Sequence, residues 1–250
     1  MVSKKALAIL NKLIKVNPAR LQRFFKDREV VNNEVVFGPV AIRLDGVNFS
    51  KALENFRKPR DLRVHEALLE AGRALAERFN ALVIYVASDE INLILKDVPY
   101  GGRVFKLTSV TASIASAYTS LSLGIPLYFD SRIIKLNNIG EAVTYIIYRG
   151  RICSNNYISQ LYHKIVGDQE VTPPAEDMLN TVINAGILSK SYDWELLGSC
   201  IHWGLRLKYG INPITNRKKL VLRRKLIVKN TIVDCISNLV NTYSRVTIST

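Results

Sequence analysis

Two aspartates stand where extended segments end. Asp45-Gly46 closes the apolar run Val35–Leu44 (VVFGPVAIRL), and Asp89 sits beside Glu90 in the bend of Ile84–Leu95 (IYVASDEINLIL). Hairpin bends are ordinarily built from Asn-Gly, Asp-Gly or glycine pairs, so a Ser-Asp-Glu bend asks for another reason. If the two segments are neighbouring strands, Asp45 and Asp89 face one another. Two such carboxylates can hold a pair of Mg²⁺ ions roughly 3.5–4 Å apart, each ion facing a phosphate. Gly46 presents no side chain to block an approaching carbonyl or phosphate. The plain alternative is a solvated acidic turn; the Arg43-Leu44-Asp45-Gly46 stretch at the end of the preceding strand favours the metal reading.

Cations recur around this pair. Lys58, in FRKPRD, is expected to open a helix, and Arg103 and Lys106 to begin a second. Orphan N–H groups at helix starts favour anions. Arg132 and Arg149 are further phosphate candidates. Lys and Arg total 35 against 21 Asp and Glu, a formal charge of +14, which points to a polyanionic partner.

Other chemistries are poorly supplied. Cys153, Cys200 and Cys235 form no C-x-x-C pair, and His65, His163 and His202 no H-x-x-H. A zinc site and a disulfide framework are therefore not expected, and any catalytic metal should be a hard ion with oxygen ligands. His65 reads as a surface or capping residue, His163 and His202 as structural. No apolar run reaches the roughly 18–20 residues of a membrane helix, and Asn11, Lys12 and Lys15 break the N-terminal apolar stretch too early for a signal peptide. A reduced, cytoplasmic protein without membrane attachment is the simplest expectation.

The elements that must position these residues follow from periodicity. Residues 3–26 read as one or two amphipathic helices divided near Pro18. Val35–Leu44 is a strand, Asp61–Phe79 a helix, Leu82–Ala87 and Ile91–Leu95 two strands, Val104–Leu123 a small-residue helix and Leu127–Leu136 a strand. Strand, helix, strand, strand, helix, strand is the split βαβ of a ferredoxin-like α+β domain, an antiparallel sheet with helices on one face. Beyond it the pattern turns mostly helical, with helices over 141–166 and 175–185, a short element within 194–209 and a basic hairpin over Lys218–Lys229. The expected division is residues 1–136 and 137–250.

RLDGVNF (Arg43–Phe49), KPRD (Lys58–Asp61), SDE (Ser88–Glu90), GRVFKLTSVTASIASAY (Gly102–Tyr118) and YFDSRII (Tyr128–Ile134) together resemble, in order and spacing, the tRNA(His) guanylyltransferase family and its archaeal and bacterial "like" proteins. The resemblance covers roughly residues 35–165. It implies a polymerase palm that runs in the 3′–5′ direction and adds nucleotides to the 5′ end of tRNA. It implies that Asp45, the Gly46 carbonyl and Asp89 hold two Mg²⁺ ions. It further implies that Asp45, Gly46, Val47, Asn48, Phe49 and Ser50, with Ser88, Asp89 and Glu90, cradle a nucleoside triphosphate. Lys58 matches a lysine associated with activating the 5′ end, where ATP adenylylates a 5′-monophosphate before the 3′-OH of GTP or another NTP attacks. A homotetramer, a dimer of dimers, is also implied.

Two positions depart from the family pattern. Ser50 stands where a histidine usually follows N-F. Where guanylyltransferases proper carry H-I-N-N-L-Y-N, this chain has CSNNYIS (Cys153–Ser159), keeping Asn155 and Asn156 alone of the polar set. These departures favour template-dependent repair of truncated tRNA over non-templated G addition to tRNA(His). A catalytically idle RNA-binding protein and a nucleotide cyclase are the alternatives; retained Asp45, Asp89 and Lys58 argue against the first, and the +14 charge against the second. Arg43, Asn155, Asn156, Arg223, Arg224 and Lys225 join the cations above as RNA-contact candidates.

Overall fold

The computed structural model describes residues 34–167, 172–212, 214 and 216–248, and Val35–Thr250 form one compact unit. The helices expected over residues 3–26 lie outside the described residues. Six strands, β1 (Val40–Gly46), β2 (Val83–Ala87), β3 (Glu90–Leu95), β4 (Phe129–Lys135), β5 (Ser199–Ile211) and β6 (Lys218–Lys229), form one sheet in the order β4-β1-β3-β2-β5-β6. All pairings are antiparallel. Among the described residues there are seven helices: α1 (Phe49–Ala52), α2 (Leu62–Phe79), α3 (Val104–Leu123), α4 (Ile139–Val166), α5 (Ala175–Asn184), α6 (Asp193–Leu197) and α7 (Ile232–Ile248).

The expected α+β ferredoxin-like palm is present, with α2 and α3 on one face. Strand side chains alternate between faces, and here the alternation divides two cores. Val40, Ile42 and Leu44 of β1, Ile84 and Val86 of β2, and Ile91, Leu93 and Leu95 of β3 pack with Leu68, Leu75 and Leu107 from α2 and α3. Their sequence neighbours Ala41, Val83, Tyr85 and Ile94 pack on the opposite face with Ala142 and Ile146 of α4 and Cys235 and Leu239 of α7. Strands buried on both faces read as near-continuous apolar runs, as VIYVA and INLIL do.

The chain on either side of residue 136, where a division was expected, shares one sheet. The chain beyond it contributes α4 and α7 to the second face, and β5 pairs with β2 from Val83↔His202 to Val86↔Ser199. The sheet therefore needs the C-terminal part to bury its other side. Cys200 and Cys235 form a disulfide between β5 and α7, both fully buried, against the expectation of reduced, unpaired cysteines. Their separation of 35 residues conveys nothing of the strand–helix packing that brings them together. Cys153 remains a free, buried thiol. No described helix is long and apolar enough to cross a membrane.

Beyond His202, β5 pairs with β6 alone through to Ile211↔Lys218. Paired residues share a face, so the ribbon is two-sided. Leu205, Leu207, Tyr209, Leu220 and Leu222 lie on one side with Arg224; Arg206, Lys208, Lys219, Arg223 and Lys225 lie on the other, all exposed.

A candidate nucleotide site between the hairpin and the first palm helix

Strand β2 turns into β3 through Ser88 and Asp89, with Ala87 paired to Glu90. Ser88 has φ 60, whereas Asp89 has no positive φ; a positive φ at the first turn residue is the mark of a type II′ hairpin, usually met by glycine. Ser88 thus holds a left-handed conformation that costs a non-glycine residue of order 1 kcal/mol or more. The turn is tied to β1 through its backbone: Gly46 N–H donates to the Asp89 carbonyl at 3.1 Å.

The residue directly across β1 from Asp45 is Glu90, not Asp89, and on the other side it is Asp130. Three carboxylates therefore stand in one row across β4, β1 and β3, each beside an arginine. Asp130 pairs with Arg132 at 2.8 Å and Asp45 with Arg43 at 2.6 Å. Glu90, 6% exposed, meets the buried Arg149 of α4 through both of its oxygens, with Nε–Oε2 at 3.0 Å. Arg43 Nε lies 3.5 Å from Glu90 and Asn92 Nδ2 donates to it at 3.3 Å, while the Tyr145 hydroxyl donates to Asn92 at 2.7 Å. Glu90, Arg149 and Arg43 are thus an internal network: Glu90 does not line the cavity described next, and Arg149 and Arg43 are not open to RNA. Arg132 is exposed but engaged with Asp130.

A cavity of about 180 Å³ opens beside this row. Ser88 and Asp89 line it from the hairpin, Phe49 and Ser50 from α1, Lys58, Pro59, Arg60 and Asp61 from the following loop, and His65 from α2. Gln160 of α4 and Trp194 of α6 close it. Of the residues expected to cradle a nucleotide, Phe49, Ser50, Lys58, Ser88 and Asp89 line this space. Asp45 and Gly46 stand at the adjoining strand end, and exposed Val47 and Asn48 lie in the turn that leads to α1. The lack of a side chain at Gly46 serves packing: a Cβ there would lie 2.5 Å from the Phe49 ring, itself edge-on to Phe129 at 5.0 Å.

Lys58 does not open a helix. The cis Lys58-Pro59 bond lies in a loop, and α2 begins at Leu62 with Asp61 as its N-cap, accepting from Arg63 N–H at 2.9 Å. The Arg63 side chain, followed by the Arg57 and Arg63 backbone N–H groups, holds the Asp61 carboxyl down to about 2. The loop is fixed at both ends: Arg57 N–H donates to Asp61 at 2.9 Å, the Arg57 guanidinium pairs with buried Glu195 of α6, and Lys164 Nζ donates to the Lys58 carbonyl at 2.6 Å.

His65, expected at the surface, is buried. Its Nε2 lies 2.8 Å from Ser199 Oγ, and its ring stacks on Trp194 at 4.4 Å. Burial, then the Arg60 charge, pull its pKa down to about 4, so the imidazole is neutral. Cys153, at the position of the family's histidine, packs near the Ala87 carbonyl at 3.9 Å; burial, then Glu90, push its thiol up to about 12. Asn155 is half-buried and Asn156 exposed on α4, and neither lines the cavity. Arg103 stands just before α3 without a side-chain cap bond and donates from Nε to the Tyr100 carbonyl, and Lys106 lies over the Tyr100 ring at 5.0 Å.

Sequence reasoning missed Arg60, Gln160 and Trp194. Arg60 was visible inside KPRD, two residues from Lys58. No local signal marks Trp194, which reaches the cavity only because α6 folds onto α2. As for metal ions, no described group of three or more His, Cys, Asp or Glu forms a protein-only site. Asp45, Asp89 and the Gly46 carbonyl are hard oxygen donors at one sheet edge, which suits Mg²⁺ that takes its remaining ligands from phosphates and water.

An antiparallel palm with acidic residues at the end of its first strand and in its hairpin, opening onto a basic-lined cavity, defines the class. Residues 20–137 match the family model Thg1, tRNAHis guanylyltransferase, and in that segment the chain is similar to a family of nucleotidyltransferases. An uncharacterized protein, R259, of Acanthamoeba polyphaga mimivirus is 28% identical over 166 residues, covering 52% of this chain; the chain spans about 57% of that curated relative. A bacterial tRNA(His) guanylyltransferase (Thg1)-like protein solved with ATP shares the fold at a TM-score of 0.71 and 23% identity, over 89% of this chain and 98% of that one. Its GTP complex gives 0.69 and 23%, over 90% and 98%. The tRNA(His) guanylyltransferase of Saccharomyces cerevisiae gives 0.62 and 16%, over 80% and 94%.

Proposed function

We propose that this protein is a 3′–5′ nucleotidyltransferase that restores missing nucleotides at the 5′ end of truncated tRNA, reading the opposite acceptor strand as template. The observation that carries the reading is the cavity in which Asp89 and Ser88 from the hairpin meet Lys58 and Arg60 from the loop before α2. Asp45, Asp89 and the Gly46 carbonyl would hold Mg²⁺, which lowers the pKa of an attacking hydroxyl and neutralises charge on phosphate. Within the chain, Ser50 and Ser88 offer hydroxyls to the nucleotide. Lys58 supplies charge to the 5′-phosphate during its activation by ATP. The stacked pair of Trp194 and His65 excludes water from the inner wall, and the bound Glu90–Arg149 network fixes where β3 leaves the turn.

Templated repair is favoured over G addition to tRNA(His) because the motif helix carries Cys153, a buried neutral thiol, where a histidine stands in guanylyltransferases proper. The RNA would lie along the basic side of the β5–β6 ribbon. Its apolar side, with Leu205 69% and Tyr209 71% exposed, would be covered by a second copy in a tetramer, which light scattering tests. We assign this activity to the cytoplasm; the disulfide is compatible with that, since both sulfurs are buried from attacking thiols.

The test uses tRNA lacking its first nucleotide and bearing a 5′-monophosphate, with Mg²⁺, ATP and all four NTPs, beside an Asp89→Ala control. The partner base is varied through all four identities. Addition that follows the partner and vanishes in the control is expected. Addition of G regardless of partner would return the protein to the guanylyltransferase role, and tRNA binding without addition would leave an RNA-binding protein.

A further inference from the structure

The loop before α2 carries a cation whose bonding is incomplete. Arg60 Nη1 donates to the adjacent Pro59 carbonyl at 3.2 Å, while Nε and Nη2 are shut off from solvent and have no hydrogen-bond partner. The guanidinium lies over the Tyr157 ring at 5.6 Å and borders the cavity. Leaving buried donors unsatisfied costs free energy, more so when they are charged, so this arrangement lowers the stability of the free protein.

The other charges around the cavity narrow what Arg60 awaits. Arg57 is paired with Glu195 and Asp61 with Arg63. Among the described residues, Lys58 and Asp89 have no ion pair. Burial draws the Arg60 guanidinium below its ordinary pKa, with the nearby Asp89 and Glu195 charges acting the other way. Nε and Nη2 sit side by side on a guanidinium and form the two-pronged edge that matches two oxygens of a phosphate.

We propose that Arg60 is a nucleotide-positioning residue: when a nucleoside triphosphate enters this cavity, the guanidinium turns so that its Nε–Nη2 edge, closed to water in the free protein, grips the phosphate chain. This rests on the nucleotide-binding part of the proposed function and assigns a role to a residue of KPRD for which the resemblance implied none. In the free protein Asp89 acts on Arg60 through charge alone, without an ion pair. When a nucleotide enters, its phosphate supplies the acceptors that Arg60 lacks, and Asp89 faces the metal side of the same ligand. The grip and the metal-facing carboxylate are thereby coupled through one site.

The test is binding, measured by calorimetry on the full chain without Mg²⁺, using ATP, tripolyphosphate and adenosine as probes. Arg60→Gln is expected to weaken ATP and tripolyphosphate by about tenfold to a hundredfold, the loss of charge-assisted hydrogen bonds, and to leave adenosine within about twofold. Arg60→Lys should retain the charge but not the fork, and fall between. A structural role predicts the opposite thermal behaviour, so the unliganded melting temperature of Arg60→Met is read as well. It is expected to rise, because a buried cation without its partners has been removed. ATP affinity unchanged in Arg60→Gln, or a lower melting temperature in Arg60→Met, would overturn the assignment. If tripolyphosphate binds the wild type through Arg60 while no nucleotide is added to RNA, the grip stands and the proposed reaction fails. If ATP is added to RNA equally well by Arg60→Gln, the reaction stands and the grip fails.

Discussion

Gly46, at the end of β1, and Asp89, in the turn between β2 and β3, are joined by a hydrogen bond of 3.1 Å from the Gly46 N–H to the Asp89 carbonyl. The bond fixes the hairpin turn against the end of β1, so the Asp89 side chain faces the cavity while Asp45 stays on the row of ion pairs behind it. The two carboxylates do not face each other through paired strand positions; the turn is held beside the strand end by its backbone.

The Glu90–Arg149 pair should dominate stability near the site. Both side chains are buried, and removing one partner of a buried pair typically costs about 3–5 kcal/mol because the other charge is left behind. Arg149→Met should therefore lower stability in urea by roughly 3 kcal/mol. The double variant Glu90→Gln/Arg149→Met should recover most of that loss. Equal losses in both would mean that Glu90 is held by Arg43 instead.

Acid should destabilise the protein through His65. Its folded pKa of about 4 lies below the ordinary 6.5, so the unfolded chain binds the proton first. The stability this neutral histidine permits is complete above pH 6.5 and is lost as pH falls toward 4, by up to about 3 kcal/mol. Urea midpoints across that window, compared with His65→Gln, should separate this slope from the carboxylates below it.

The basic ribbon makes a prediction that the sequence run alone would get wrong. Arg223 and Lys225 share a side with Arg206, Lys208 and Lys219, whereas Arg224 points the other way, over the Trp203 ring at 4.4 Å and toward Asn80 Oδ1 at 3.2 Å. Neutralising Arg223 and Lys225 together should reduce the salt slope of tRNA binding by about 1.5–2, close to one per phosphate contact. Arg224→Gln should leave the slope unchanged. A slope that responds to Arg224 alone would put RNA on the apolar side.

The disulfide should contribute to global stability rather than to catalysis. Closing a loop of 35 residues constrains the unfolded chain by about 3–4 kcal/mol on the chain-entropy account. The Cys200→Ala/Cys235→Ala variant should melt lower yet bind ATP unchanged at low temperature, and reductant should affect the wild type only once it unfolds.

Much of the palm was legible in the residues. Short apolar runs for the strands, helical spacing in α2, the small-residue run of α3 and glycine and proline punctuation located β1 through β4 with α2 and α3, because those elements are set by local patterning. The acidic bend and the end of β1 announced themselves because carboxylates at strand ends are unusual. Helix α7 and strand β5 were not legible, since a strand that continues into an exposed ribbon carries apolar and basic residues on opposite sides and no core period. The sequence by itself determined the βαββαβ order and the basic charge, and it singled out Asp45, Asp89 and Lys58 as candidates for the chemistry. Only the tertiary structure decided that Glu90 belongs to Arg149, that Arg224 faces away from its basic neighbours, and that Trp194 and His65 wall the cavity. Those outcomes depend on register and on packing between segments from 59 to 144 residues apart, and no local preference encodes which buried charge will find which partner.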